Sequence, residues 1–552
     1  MRAFNKRSVF LAAFLIFAGF NVFALAQEVS KETEQAMNAG LDAAKREDWD
    51  LAVKQFSEAQ KIAPTSPQIL FNLALAYDKA GDKELVALAL YEAYMIAAPE
   101  AVNSQTIKAR IEELDTQIKT NIRSLILSAQ KAAAAIPDDV FTYSSAGVSQ
   151  EVKLPYLKNV YQSIADAQSD LGDFPGARAT LAKVRDLQDA IQSLPGSHDA
   201  TDYNYLALKQ SLAGDISAAL KSVALIQDEK NGEWWRGMSY KSIVNAQIEQ
   251  GDIAGAQKTE KLITHQYFKD LAKQCFVKEK LKAGDIPAAI SLASGVQSDT
   301  VRAYAYLDIA HLELEKKDAS GALKSLNEAY QATNLLKDYD GGHRPILYYS
   351  IAEAQSKAGD TDAALKTLAQ AEKKDADTPG EYSSKNWDYW IRAEIAQKSG
   401  DLKKAKDLLA QAKEWLQKFP YSKSHDFYAY GSIARMQSAT GDAEGARKTI
   451  AEATKIVSEG NKSDGGASAY LDLGRGWGDM KSAKVIFLAN FASSFRVGFG
   501  SSSPLLSNWP GWQKFMQSQK ENKNIDDEVE NLANAAKYLS EALKRIRTAS
   551  IP

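Results

Sequence analysis

A Gly-Asp pair followed by alanine five residues beyond the glycine recurs eight times in this 552-residue chain. The pairs open at Gly172, Gly214, Gly251, Gly284, Gly359, Gly400, Gly441 and Gly478, and Lys317-Asp318 with Ala322 fills the one missing beat. Successive copies stand 33 to 42 residues apart, the length of a helical hairpin. A hairpin of that size cannot bury its own apolar face, so neighbours must stack, and a period in this range specifies a helical solenoid. Such an array grows by adding copies and needs no single large core. Each element of the repeat has a physical reading. The glycine supplies the positive φ that ends a first helix, the aspartate can cap a second, and the alanine lets the two backbones approach.

With the turn residue as position 15, position 4 is Tyr161, Tyr203, Tyr240, Tyr306, Tyr348, Tyr389 and Tyr430. Position 7 is Ile164, Leu206, Ile243, Ile309, Ile351 and Ile433, and position 8 is alanine in most copies. Residues three apart share a helix face, so these pack the first helix on its partner. Position 11 is glutamine at Gln168, Gln210, Gln247, Gln355 and Gln437, expected to hydrogen-bond a neighbouring helix or turn. An earlier block carries Gly40, Trp49, Ala52, Phe56, Ala59 and Pro64, then Leu70, Leu73, Ala74, Tyr77, Gly81-Asp82, Ala87, Tyr91 and Pro99. Small residues at 8 and 20, a large one at 24 and proline at 32 of a 34-residue unit resemble the tetratricopeptide repeat (TPR). The later block is TPR-like but divergent: position 11 is not aromatic and the proline is missing.

The implied fold class is all-α, a right-handed TPR-like helical-hairpin solenoid (an α-α superhelix) in two blocks with a C-terminal capping helix. About eleven helix pairs are expected in all. Residues 1–26 read as a secretory signal peptide: Arg2, Lys6 and Arg7 precede an apolar run from Val9 to Phe23, and Ala24-Leu25-Ala26 closes it as a cleavage site. Residues 27–135 hold the N-terminal TPR pair and its capping helices. Residues 136–152, with Ile136-Pro137-Asp138-Asp139 and a Ser-rich stretch, read as a linker. Residues 153–499 hold the divergent array of about nine helix pairs. Residues 500–552 give a loop and then a helix with Val529, Leu532, Ala536, Leu539, Leu543 and Ile546 on one stripe, expected to cover the last repeat.

The net charge of −3 makes neither nucleic acid nor an anionic membrane an obvious partner. Cys275 is the single cysteine, so no intrachain disulfide can form. None of His198, His265, His311, His343 and His425 stands in a metal-ligand spacing, and no phosphate loop or nucleophile motif occurs. No cofactor, no metal and no catalytic residue is expected.

The TPR resemblance implies that positions 2, 5, 9 and 12 of the first helices line an inner groove. In three adjacent repeats these are Tyr349 and Glu353, then Trp387, Trp390 and Glu394, then Tyr428 and Arg435. An earlier stretch offers Asn204, Ser211, Lys241, Asn245, Gln274 and Lys278. The expected site is an aromatic belt with charges beside it, suited to a peptide or partner helix. Lys241 with Asn245 resembles half of a carboxylate clamp, but Cys275 stands where its third member would be asparagine. Trp234-Trp235 is expected to fill a gap between repeats. The function implied is an exported, non-catalytic scaffold for a protein or peptide of the cell envelope, without stable membrane insertion and with its oligomeric state open. Glycan or cell-wall binding through the aromatics is the alternative. An enzyme would need Glu353 and Glu394 to converge in a deep pocket.

Overall fold

The computed structural model describes residues 31–134, 150–192, 200–226, 231–336, 343–376, 385–418, 426–453 and 525–550, apart from single positions 64, 82, 443, 447 and 451, together with 484 and 488. The signal segment, most of the linker, the Gly478 copy and the loop after residue 500 lie outside the described residues.

All regular structure among the described residues is helical. In the first block α1 (Lys31–Lys45) pairs with α2 (Trp49–Ile62) and α3 (Pro67–Ala80) with α4 (Glu84–Ala97). The 31-residue α5 (Ser104–Ala134) follows without a hairpin partner next to it in sequence. The second block begins at α6 (Gln150–Asp170), which starts inside the expected linker, and pairs it with α7 (Phe174–Gln192). The pairs continue as α8 (Ala200–Leu212) with α9 (Ile216–Ala224), α10 (Gly232–Glu249) with α11 (Ile253–Glu260), and α12 (Gln266–Lys282) with α13 (Ile286–Ser294). Then come α14 (Asp299–Glu315) with α15 (Ala319–Asn334), α16 (His343–Ala358) with α17 (Thr361–Asp375), and α18 (Lys385–Lys398) with α19 (Leu402–Lys418). Helix α20 (Asp426–Ala439) and the terminal α21 (Ile525–Ser550) complete the described set.

The turn chemistry is the one the repeat requires. Seven of the eight Gly-Asp glycines are described, from Gly172 to Gly441, and their φ values run from +75° to +91°. All eight described aspartates, from Asp173 to Asp442 and including Asp318, accept the backbone N–H three residues on at 2.8–3.1 Å. The alanine after each turn is buried in every described copy. Lys317 holds the same left-handed turn at φ +61°, a conformation costing an L-residue about 1 kcal/mol or more. Lys317→Gly is therefore expected to stabilise the array by up to about 1 kcal/mol. A chemical-denaturation midpoint that falls instead would show that the lysine side chain outweighs the strain.

The recurrent glutamine has one job, and it lies inside its own hairpin. Its Oε1 accepts the hydroxyl of the residue twelve positions later: Thr180 on Gln168, Ser222 on Gln210, Thr259 on Gln247, Thr367 on Gln355 and Thr449 on Gln437, at 2.7–2.8 Å. The Gln247 Nε2 also donates to the capping Asp252 at 3.2 Å, so first helix, cap and second helix are tied together. In the α18–α19 pair Ala396 and Leu408 take the two places, an apolar substitute for the bond. Removing one partner is different from removing both. Thr367→Val would strand the buried Gln355 oxygen and cost about 1–3 kcal/mol, which equilibrium urea unfolding can measure.

The terminal helix makes its described contacts far away in sequence. Its apolar face is the expected one, with Ala536, Leu539, Leu543 and Ile546 buried. Among the described residues it lies on α5 and α6 with a margin on α4; the Gly478 repeat, which it was expected to cover, is outside the described residues. The reason is that α5 has no hairpin partner of its own. Its buried Ile118, Ile122, Leu125, Ile126 and Ala129 belong to a core cluster that also takes in the stripe of α21.

Candidate functional site

The expected aromatic belt is mostly core. Tyr349 and Trp390 have no exposed surface, which overturns their assignment to an open groove. The cause is the approach of neighbouring repeats: position 5 of one first helix meets the start of the next. Asn204 illustrates the relation, accepting from Ser239 at 2.8 Å and touching the Met238 sulfur at 3.7 Å. Trp387 is half-buried, its ring 6.0 Å from that of Trp390 at 55°. Around this seam lie charges held in place. The Tyr349 hydroxyl reaches Asp375 at 3.5 Å, and Arg392 bonds Asp388 at 2.7 Å and stands 3.6 Å from Glu372. Burial pushes the Tyr349 hydroxyl well above its usual range, and the Asp375 and Asp388 carboxylates push it further. Burial likewise raises the Asp388 carboxyl, although Arg392 opposes it.

The charged positions of the belt are closed on themselves. Glu353 is nearly buried and paired with Lys357 one turn on. Glu394 is nearly buried too; Lys398 holds it at 2.9 Å, and Arg435 of the next repeat stands 3.8 Å away. Lys398 also donates to the Ser356 carbonyl at 2.9 Å, stitching two repeats together. Tyr428 stands in α20 with its side chain outside the described residues. In the earlier stretch Lys241 and Asn245 are half-buried, and Asn245 donates to Glu249 at 2.8 Å. Burial pushes the half-buried Cys275 thiol up, while Lys241 and Lys278 pull the other way. These residues brace helices.

An exposed aromatic site does exist, at a place the groove register did not indicate. Trp234 and Tyr267 are each 41% exposed, and their rings lie parallel within 7° at 6.0 Å. Phe268, buried, backs both with edge contacts at 4.7 and 5.4 Å. His265 stands edge-on to Trp234 at 5.4 Å. Exposed Leu262 lies in the same turn. Trp235, half-buried, fills the gap between repeats that both tryptophans were expected to fill. The signal was available in the sequence: Trp234 and Tyr267 each stand seventeen residues before their turn glycines, Gly251 and Gly284. The same register position in adjacent repeats puts both rings at the openings of α10 and α12. Such rigid, half-exposed rings can take a hydrophobic side chain or the face of a sugar.

Among the described residues no group of three or more histidine, cysteine, aspartate or glutamate side chains could hold a metal ion. No described helix is long and apolar enough to cross a membrane. A shallow depression lined by Ser320, Leu323, Lys324, Asn327 and Glu328 lies on α15, away from Glu353 and Glu394.

The stacked hairpins and their turn register define a TPR-like helical solenoid. No protein-family model and no curated protein matches the chain. Solved structures with a similar succession of helices include yeast Tom70, at 13% identity, 94% of this chain, 96% of that one and a TM-score of 0.27. The Naa15/Naa10 complex bound to HypK-THB gives 14%, 98%, 85% and 0.30, and the APC/C hetero-tetramer Cut9–Hcn1 gives 12%, 96%, 99% and 0.25. Scores this low carry no argument about function, and the class rests on the chain's own hairpins.

Proposed function

We propose that the chain is an exported, non-catalytic scaffold that holds a protein partner in the cell envelope. The observation that carries this reading is the exposed Trp234–Tyr267 pair, set on rigid helix openings and backed by Phe268. Rigid aromatics are favoured anchors because they bury much apolar area while giving up little side-chain entropy. The bracing of Glu353, Glu394 and Arg435 by salt bridges supports a structural role for the former belt, not a chemical one. In-cell cross-linking and capture of the wild type should enrich one protein, and the Trp234→Ala/Tyr267→Ala double variant should lose it at unchanged thermal stability. Undiminished capture by the double variant would remove the pair from the interface. Export is tested separately, by N-terminal sequencing of the mature chain for cleavage after Ala26.

A second reading, glycan or cell-wall binding, is favoured by the parallel rings with Glu233 next to Trp234. It predicts retention on a soluble cell-wall glycan that the same double variant abolishes, with no protein captured.

A further inference from the structure

Helix α21 is recruited from the far end of the chain to the place where the two blocks meet. Ser540 and Asp170, which meet there, are 370 residues apart in sequence. What α21 presents to that seam has two parts. One is the apolar stripe of Ala533, Ala536, Leu539, Leu543 and Ile546, buried against α5 and α6. The other is a row of three cations, each placed on a carboxylate. Lys537 stands 3.3 Å from Asp166, Lys544 stands 2.7 Å from Asp170, and Arg547 places Nη2 and Nε 2.6 and 3.0 Å from one oxygen of Asp115. Asp166 is a position-9 residue, the register place that Glu353 and Glu394 hold in later repeats.

The receptor is acidic by construction. Asp115, Asp166 and Asp170 have side chains only 9%, 7% and 11% exposed with α21 in place. Asp115 keeps Lys119, and Asp166 keeps Lys209 and the Tyr205 hydroxyl, when α21 is taken away. Asp170 has its side-chain bonds to Lys544 and Ser540. The ligand is equally well defined. Acidic residues Asp526, Asp527 and Glu528 open α21, and Lys544, Arg545 and Arg547 close it, the charge order that supports an isolated helix against its dipole. Two of the five stripe residues, Ala533 and Ala536, are alanine, which buries less apolar area than leucine would. Beside that stripe, α21 is held by three ion pairs whose cations remain partly exposed, and such pairs contribute little each in water.

On the scaffold reading above, we propose that the α5–α6 seam is a binding site for a basic amphipathic helix, that α21 occupies it in cis, and that a partner helix of the same pattern displaces it. The partner pattern is an alanine- and leucine-rich stripe flanked by cations at the spacing of Lys537, Lys544 and Arg547. The tether sets the threshold. A segment linked to its own site competes as a high effective concentration, so a free helix binds only when it exceeds that value or when α21 is weakened.

The probe is a labelled peptide of residues 525–550, added to the full-length protein and to the full-length Lys537→Glu/Lys544→Glu/Arg547→Glu variant. The peptide is expected to bind the variant at least about tenfold more tightly than the wild type, because charge reversal releases α21. Adding Asp170→Lys to the variant should abolish the gain, and rising salt should weaken it. Equal affinity for wild type and variant overturns the proposal. Hydrogen exchange on the unaltered protein keeps the test decisive should the variant misfold. Amides of α21 are expected to exchange at least about tenfold faster than those of α5 and α6. Protection of α21 equal to that of α6 would make it a fixed part of the core and overturn the proposal. A wild-type dimer that dissociates on charge reversal would place a second copy's α21 in the seam, and would overturn the cis reading. The Trp234 capture experiment does not involve this seam, so loss of the scaffold reading and loss of the α21 mechanism are separate results.

Discussion

Replacing Trp390 with alanine is expected to cost about 3–5 kcal/mol of stability, the usual penalty for emptying a fully buried large aromatic site. The side chain has no exposed surface and belongs to the same core cluster as Tyr349, Ile391 and Leu409, with the Trp387 ring beside it. Tight packing of Tyr349 nearby, with its hydroxyl at Asp375, leaves the surrounding helices little room to collapse into the void. In a repeat array the stability is a sum of hairpins and their nearest-neighbour interfaces, so the loss should concentrate in α16 to α19. Hydrogen exchange would show it as deprotection of those helices before the first block. Trp234→Ala, at a 41% exposed position, is expected to change stability several-fold less. A Trp390→Ala protein that unfolds like the wild type but loses its partner would restore Trp390 to an exposed interface and refute the seam assignment.

The second large effect is expected at Glu313, the one acid in the glutamine series. It is 3% exposed, bonded to Ser325 in the place where other repeats pair glutamine with serine or threonine. In the Gln247 repeat the amide Nε2 donates to the capping aspartate; in this one a carboxyl oxygen, Glu313 Oε2, is buried without a hydrogen-bond partner. A neutral glutamic acid can donate as the amide does, whereas the carboxylate adds a second negative charge beside the cap. Burial accordingly raises the Glu313 carboxyl; Ser325 and Lys324 oppose the rise and Asp318 adds to it. A carboxyl raised on folding contributes stability that is fully present below its unfolded value, about 4.3. That contribution is lost as pH rises through the folded value. The wild-type protein is therefore expected to lose stability relative to Glu313→Gln from about pH 4.3 upward, the gap levelling off once the folded carboxyl has ionised. Thermal unfolding of both proteins across the acid-to-neutral range measures it. A gap that is constant with pH, or that favours the wild type at neutral pH, would mean that Glu313 is ionised and paired throughout.

What could be read from the sequence is what depends on residues close together in it. The turn glycine and its following aspartate act within five residues, so their periodic recurrence determined the hairpins, and Lys317 at φ +61° shows how firmly the pattern holds even without glycine. The glutamine bond to a hydroxyl twelve residues on lies inside one hairpin and was equally open to inspection, but its partner column of Thr180, Ser222, Thr259, Thr367 and Thr449 had to be seen beside it. The site was far less legible. Whether position 5 faces water or a neighbour depends on how closely successive first helices approach, and that distance is set by packing across repeats. Asn204 and Trp390 hold the same position and differ in exposure for that reason. Trp234 and Tyr267 shared a register position outside the groove pattern, so only the structure brought their rings together. The destination of α21 was the least local fact of all. Its sequence determined an amphipathic helix and the face it would bury; the unpaired α5 and the carboxylates of Asp115, Asp166 and Asp170, several hundred residues earlier, decided where that face went, because burial and charge pairing depend on proximity in space and not along the chain.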